Sequence, residues 1–345
     1  MARTPSQQRL FDALQTRYGA EAARAFLAAI DDITAAADLQ RIIAALNAGN
    51  IEAAIAAMNI EAAAYGPLLD ALDGAYRAGG DAAVASLPAL TDTAGGRVVI
   101  RFDARNPRAE TWLRDNSSDF VTRIQTEQRL AIRQALEAGM IRGENPRTTA
   151  LDVVGRISRA TGKREGGIVG LTQPQEVAAR RALDELRSGD PTQMSAYLER
   201  GRRDKRFDRA VTKAIREGKP VDAATATKAV TQYKNRLLAL RGEMIGRTEA
   251  MTSLHTAQHE ALLQAIDKGA ITENQVRRVW SSAGDGRVRH THAILDGQSV
   301  GLNEKFNSPS GAQLMYPGDP SAPASERIGC RCTVNTRIDF LSNLR

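Results

Sequence analysis

The 345-residue chain holds two cysteines, and its aromatic content is 4%. So few cysteines exclude the disulfide-stapled scaffold of small secreted domains. No window reaches the roughly 18 uninterrupted apolar residues of a membrane helix. The N-terminal run Met1-Ala2-Arg3-Thr4-Pro5 lacks the apolar core of a secretory signal. A soluble protein made and kept in a reducing cytoplasm is therefore expected. Catalytic signatures are also missing: there is no serine-nucleophile motif, dinucleotide-binding glycine loop or carboxylate cluster. The stretch Thr161-Gly162-Lys163-Arg164-Glu165-Gly166-Gly167 reads as a loop, but its glycine spacing and the missing Gly-Lys-Ser/Thr rule out a phosphate-binding P-loop. With 42% apolar and 25% charged residues, the composition is that of an ordinary globular protein and argues against wholesale disorder. The length suffices for two or three domains.

The net charge of +7 conceals a gradient. Residues 1–95 carry 6 Lys+Arg against 11 Asp+Glu, residues 96–245 carry 30 against 19, and residues 246–345 carry 11 against 10. Three regions are expected: an acidic Ala-rich helical region (1–95), a basic helical region (96–245) and a C-terminal α+β module (246–345). All four histidines and both cysteines fall in the last of these.

Apolar residues three and four apart, as in Leu39-Ile42-Ile43-Leu46, predict helices over residues 6–85. Gly49-Asn50, Gly66-Pro67 and Gly79-Gly80 are expected to divide them into short pieces. The β-branched run after Gly95-Gly96 predicts an extended segment. A helix is expected from Pro107 to Met140, with Trp112, Phe120, Ile124, Leu130, Ile132 and Leu136 as its apolar stripe. Helices at about 174–188 and 191–200 precede Arg202, Arg203, Lys205, Arg206 and Arg209, a basic cluster interleaved with Asp204 and Asp208. Asp222 caps a helix running to about residue 267, some 65–70 Å if unbroken, with Gly242 and Gly246 expected to bend or interrupt it. The fold class is mainly α with a small C-terminal α+β module, its helical regions joined by this long helix.

Chemistry concentrates in the tail. Cys330-Arg331-Cys332 is too short a loop for an unstrained disulfide. With His290 and His292 it supplies two sulfurs and two nitrogens, a set suited to tetrahedral zinc. Pairs one residue apart would point to opposite faces of a strand, which disfavours a four-ligand site. Packing thiols beside a hydrogen-bonded histidine are the favoured expectation, and a zinc site built from His292 and the cysteines is the alternative. His255 and His259 share a helical face, but Thr256 stands where the metalloprotease motif needs glutamate, so a surface position on a polar face is expected. Arg247-Thr248-Glu249 contains the residue types of ADP-ribosyltransferases. Those groups come from separate strands, so a helical triplet cannot reproduce their geometry. Arg247 and Glu249 are instead expected to anchor the tail on the long helix.

Arg247-Thr248-Glu249, the run Val279 to Arg289 with Trp280, Asp285 and Arg287, His292 to Gly297, Tyr316-Pro317-Gly318-Asp319-Pro320 and Cys330-Arg331-Cys332 occur in an order that resembles the C-terminal domain of phage Mu protein F-like minor head proteins. The resemblance is specific over about 246–338 and looser over 97–245, where Arg101-Phe102-Asp103, Asn106-Pro107 and Trp112 look similar. It implies a non-enzymatic minor capsid or head morphogenesis protein of a tailed phage or prophage. The implied location is the capsid interior near the portal vertex, after assembly in the host cytoplasm without a membrane. Implied partners are the portal protein and other head proteins, and the implied roles are head assembly with DNA packaging or ejection. Within that resemblance His290 looks particular to this chain. The basic middle region could contact phosphates of double-stranded DNA. The alternative function is a metal-dependent enzyme acting on nucleic acid or cell wall through His292, Cys330 and Cys332.

Overall fold

A computed structural model describes residues 5–88, 90–91 and 97–339. It is 64% helical, with twelve α-helices and a small C-terminal sheet region among the described residues, in agreement with the expected fold class. No described helix is long and apolar enough to cross a membrane. The chain divides into two compact units, each assembled from separated stretches rather than from contiguous charge segments.

The first unit gathers Met1–Phe26, Pro67–Ser118 and Glu243–Arg345. Its axis is the second half of the long helix Ala223–Asp267. That half is buried on every side: Ala250, Met251, Leu254, Ala257 and Leu262 lie inside, and so do Thr252, His255, Gln258, Glu260 and Gln264. Buried polar groups are tolerable only when paired. Gln264 accepts from the Asp103 backbone N–H at 2.8 Å and donates to its carbonyl at 2.9 Å. Gln258 donates to the Val334 carbonyl at 3.1 Å, and Thr252 to the Gly318 carbonyl at 2.7 Å.

Several glycines act differently from the expectation. Gly242 and Gly246 do not interrupt the long helix, which is assigned as one continuous element of 45 residues. Gly246 instead lets the first helix, Pro5–Ala36, approach closely: a Cβ there would stand 2.1 Å from the Gly19 carbonyl oxygen. Gly79-Gly80 likewise does not end its helix, which runs from Gly66 to Ala85. A Cβ on Gly79 would lie 2.5 Å from the Leu254 carbonyl oxygen, and one on Gly80 would lie 2.2 Å from the Phe102 ring. The first helix spans 32 residues, so the front of the chain is not uniformly short-helical.

Tail strands Ser299–Gly301, Val276–Ser281 and Thr333–Ile338 form an antiparallel sheet with Val276–Ser281 central. Trp280 pairs with Val334 across the sheet. Around it Met251, Leu295, Phe306, Leu314 and both cysteines close a core. Phe306–Asn307 and Gln313–Leu314 make a separate two-stranded ribbon.

The second unit comprises Leu27–Gly66 and Asp119–Gly242. Its short helices begin at side-chain caps, with Asp38, Asn50, Asn145 and Asp190 each accepting from a backbone N–H of the first turn. Tyr65 donates to Gln128 at 2.7 Å in its interior. Arg241 is buried and reaches the Gly170 carbonyl and the Glu127 carboxylate, both at 2.7 Å. Leu130 of the predicted stripe is 46% exposed and is not a core residue. Part of the predicted 161–167 loop pairs back as a hairpin, Arg156–Ile157 with Arg164–Glu165. Gly95-Gly96 lies outside the described residues, and the extended segment behind it is the two-residue strand Arg97–Val98.

Candidate metal centre and basic surface

Trp280 fixes the floor of the tail site. It is 1% exposed and meets the rings of His292 and Phe306 edge-on, at centroid separations of 5.1 and 5.2 Å. His292 sits on the short helix His290–Leu295. Behind that helix Gly297, at φ +80°, returns the chain to the sheet by donating its N–H to the Trp280 carbonyl. This turn requires the left-handed conformation that glycine adopts at no steric cost.

The cysteines arrive from the other side. Both lie before the strand Thr333–Ile338, so the opposite-face alternation of a strand does not apply to them. Instead the Cys332 N–H points at Cys330 Sγ at 3.4 Å, and both thiols face one imidazole nitrogen. His292 Nδ1 is 3.3 Å from Cys330 Sγ and 3.5 Å from Cys332 Sγ. The three ligand atoms lie within 4.8 Å of one another, and all three residues are buried. His290, by contrast, is exposed and is not part of this cluster, so a set of two histidines and two cysteines is not formed. Both cysteines are free thiols.

The loop carrying the thiols is held from three directions. Thr248 Oγ1 accepts from the Gly329 N–H at 3.0 Å, and Gln15 donates to the Cys330 carbonyl at 3.2 Å. Arg331, between the cysteines, donates twice to Asp285, at 2.6 and 2.7 Å. Asp285 also caps its own turn by accepting from the Arg287 N–H at 3.0 Å, and the Arg331 guanidinium holds its carboxyl far below the usual range. Within Arg247-Thr248-Glu249, Thr248 makes a contact to the cysteine loop. Arg247 is exposed, and Glu249 is 5% exposed. Pro317 is buried beside Gly318, which packs on Met251 and Thr252 of the long helix.

Glu326 went unnoticed in the sequence. It is 3% exposed, its Oε2 lies 2.8 Å from His292 Nε2, and its carboxylate accepts from Ser310 at 2.6 Å and Thr291 at 3.2 Å. Nothing in the local pattern of Ala324–Arg327 marks it, because the partner histidine is 34 positions away in sequence. The carboxylate lies beside Nε2 but off the axis of a hydrogen bond to it, while Nδ1 faces the thiols. The thiols are electrostatically coupled. Contact with Cys332 pulls Cys330 below its ordinary pKa, while Cys332 is driven far above it. Two thiolates this close repel, so without a cation the pair carries one negative charge at most.

The second histidine pair is not on the surface. His255 is 2% exposed, stacks on Phe11 at 5.5 Å with rings 5° from parallel, and contacts Gln258 at 3.0 Å. His259 lies against Tyr316, with ring centroids 6.2 Å apart. Burial holds both histidines down at about 4, so they are neutral at physiological pH. The polar-face expectation fails because the tail wraps this half of the helix.

The basic cluster is partly neutralised from within. Arg203 makes a bidentate pair with Asp208, both bonds at 2.9 Å. Arg206 grips Asp204, which is 2% exposed and also faces Arg236. Arg202, Lys205 and Arg209 are exposed. The helix Asp208–Glu217 extends the surface in a way the cluster did not indicate: Arg206, Arg209, Lys213 and Arg216 line one open groove. Spacings of three and four residues put the last three on one face.

Residues 205–335 match the model of a family described as Phage Mu protein F like protein. The match begins at Lys205, inside the basic segment, and ends within the last sheet strand. Two curated relatives are each 28% identical to the chain. One is the uncharacterized protein YqbB of Bacillus subtilis strain 168, similar over 131 residues. The other is the minor head protein GP7 of Bacillus phage SPP1, similar over 130 residues. Each alignment covers 37% of this chain and 40% of the relative, so the chain spans less than half the length of the curated relatives it matches. No solved structure matches the chain.

Proposed function

We propose that this chain is a minor head protein of a tailed phage or prophage, acting inside the capsid near the portal vertex in head assembly and in DNA packaging or ejection. The reading rests on the match over residues 205–335, which takes in the basic helix, the buried half of the long helix and the cysteine site. Similarity to a minor head protein of another phage supports it. In this reading the long helix and the closely packed first helix form a scaffold for docking on the portal and on other head proteins.

Contact with double-stranded DNA is assigned to the groove of Arg206, Arg209, Lys213 and Arg216, with Lys205 and Arg202 beside it. Four cations engaging four phosphates, with Arg206 exchanging Asp204 for a phosphate, give a slope of log affinity on log salt of about −3 to −4, with no sequence preference.

The tail cluster is read as a fastening of the head-protein domain, and zinc is the ion its donor set favours. The cavity beside the cluster is about 20 Å³, enough for one water.

Co-expression with the portal protein of the same phage or prophage, followed by sedimentation and by mass spectrometry of purified particles, tests the assignment. The chain is expected in the portal complex and in the particle at low copy. Its absence from both would refute the reading.

A further inference from the structure

We propose that His292 Nδ1, Cys330 Sγ and Cys332 Sγ bind one zinc ion per chain, with a solvent molecule as fourth ligand and Glu326 as the positioning carboxylate. The inference deepens the fastening role assigned above and rests on that reading only for the purpose of the ion, not for its presence.

The first argument is distance. Tetrahedral zinc, with bonds of about 2.0–2.1 Å to nitrogen and 2.3 Å to sulfur, places those ligand atoms about 3.5 Å apart. The nitrogen–sulfur separations of 3.3 and 3.5 Å already meet that requirement. The second is the support around the histidine. An imidazole that ligates through one nitrogen generally gives its other N–H to a carboxylate, which orients the ring and raises its basicity. Glu326 Oε2 lies 2.8 Å from Nε2, off the hydrogen-bond axis but within a side-chain adjustment of it, and the carboxylate is itself held by Ser308, Ser310 and Thr291. A packing histidine beside two thiols would not need a buried carboxylate braced by three hydroxyls.

The third argument is donor type. Two thiolates and an imidazole select zinc over magnesium or calcium, whose ligands are oxygens. The fourth is space. The cavity of about 20 Å³ is lined by His292, Cys330 and Cys332 with Arg289 and Arg331. A water needs about 10–15 Å³ by this measure, so one solvent molecule fits and a fourth side chain does not. His290, the remaining imidazole nearby in sequence, is exposed and outside the cluster.

The ion would join the His290–Leu295 helix to the entrance of the strand Thr333–Ile338. It thereby closes the intervening segment, which carries the ribbon residues Phe306 and Leu314 and the loop residue Pro317. Because the site does not exist in the unfolded chain, binding adds to the stability of this module.

Elemental analysis of the 345-residue chain, expressed with zinc and purified without chelator, should give one zinc per chain. Stripping and adding cobalt(II) should produce the intense ligand-field bands of tetrahedral cobalt and a thiolate charge-transfer band, both abolished by zinc. Cys330→Ser and Cys332→Ser should lose the metal. His290→Ala should keep it. Glu326→Gln should retain the cobalt spectrum while binding zinc about 10–100-fold more weakly, and Glu326→Asp should restore part of that affinity. Since a cysteine variant can fail to fold, alkylation of the wild-type chain gives a second readout: both thiols should be protected with zinc and react after chelation. A folded, zinc-free wild-type chain without a thiolate band on cobalt would overturn the proposal, as would loss of metal in His290→Ala. If such a zinc-free chain still entered phage heads, the metal would be refuted and the proposed function would stand.

Discussion

Replacing Gly246 by alanine sets two effects of opposite sign against each other. Helix propensity favours alanine over glycine by about 1 kcal/mol at an interior position. Sterics oppose it. The new Cβ would lie 2.1 Å from the Gly19 carbonyl oxygen, 2.8 Å from the Ala23 nitrogen and 3.1 Å from the Ala23 Cβ. Two of these are backbone atoms, which cannot rotate aside, so the helices must separate by about 1 Å along a buried contact. Overpacking of this kind costs about 1–3 kcal/mol, and a rigid backbone neighbour places the cost near the top of that range. The net loss is about 2 kcal/mol, or a fall in melting temperature of about 4–8 °C for a unit of this size. Thermal unfolding followed by far-UV circular dichroism measures it. Gly66→Ala is the control, because nothing stands within 4 Å of the point its new methyl would occupy, and it should be neutral or slightly stabilising. A Gly246→Ala chain that melts at or above the wild type would refute the close-approach argument.

Other expected outcomes concern charge and hydrogen bonding. His255 titrates near 4 in the folded chain against an ordinary value of about 6.5, so its contribution is complete above pH 6.5 and is lost as the pH falls toward 4. The loss is about 3 kcal/mol, and urea unfolding of His255→Asn should show a flatter dependence over that window than the wild type. Arg278, 2% exposed, donates to the carbonyls of Gly301, Glu304 and Met315. Arg278→Met leaves three acceptors unpaired, at about 1–3 kcal/mol each, and should cost about 3 kcal/mol or more by chemical unfolding. Replacing Arg209, Lys213 and Arg216 together by alanine should weaken retention on double-stranded DNA and reduce the salt slope by about 3. Unchanged retention in that variant would refute the proposal that the groove contacts DNA.

Much of the local structure was legible. The helix from Pro107, the helices near 174–188 and 191–200 and the Asp222 cap all follow from periodicity and capping chemistry, which act over a few residues. Glycine was read less well. Gly79-Gly80 and Gly246 look like breaks in a one-dimensional pattern, yet in the structure they are the places where another helix or a Phe102 ring comes closest. Burial was misjudged for the same reason. His255 and His259 lie among threonines and glutamines that suggest a wet face, and only the tail folded over that face makes them internal.

Residue order alone accounts for the mainly helical class, the charge segmentation and the succession of motifs after Arg247 that carries the family resemblance. It also supplied His292, Cys330 and Cys332 as candidate ligands. Tertiary structure decided which of those candidates meet. His292 joins the cysteines and His290 does not, because Trp280 and Gly297 aim one imidazole inward while its neighbour but one on a short helix stays in solvent. Glu326 and the basic groove of Arg206, Arg209, Lys213 and Arg216 were likewise settled only in three dimensions. Propensity and capping act between near neighbours, whereas a site requires side chains from distant segments to converge at a few ångströms, and that convergence is a property of packing.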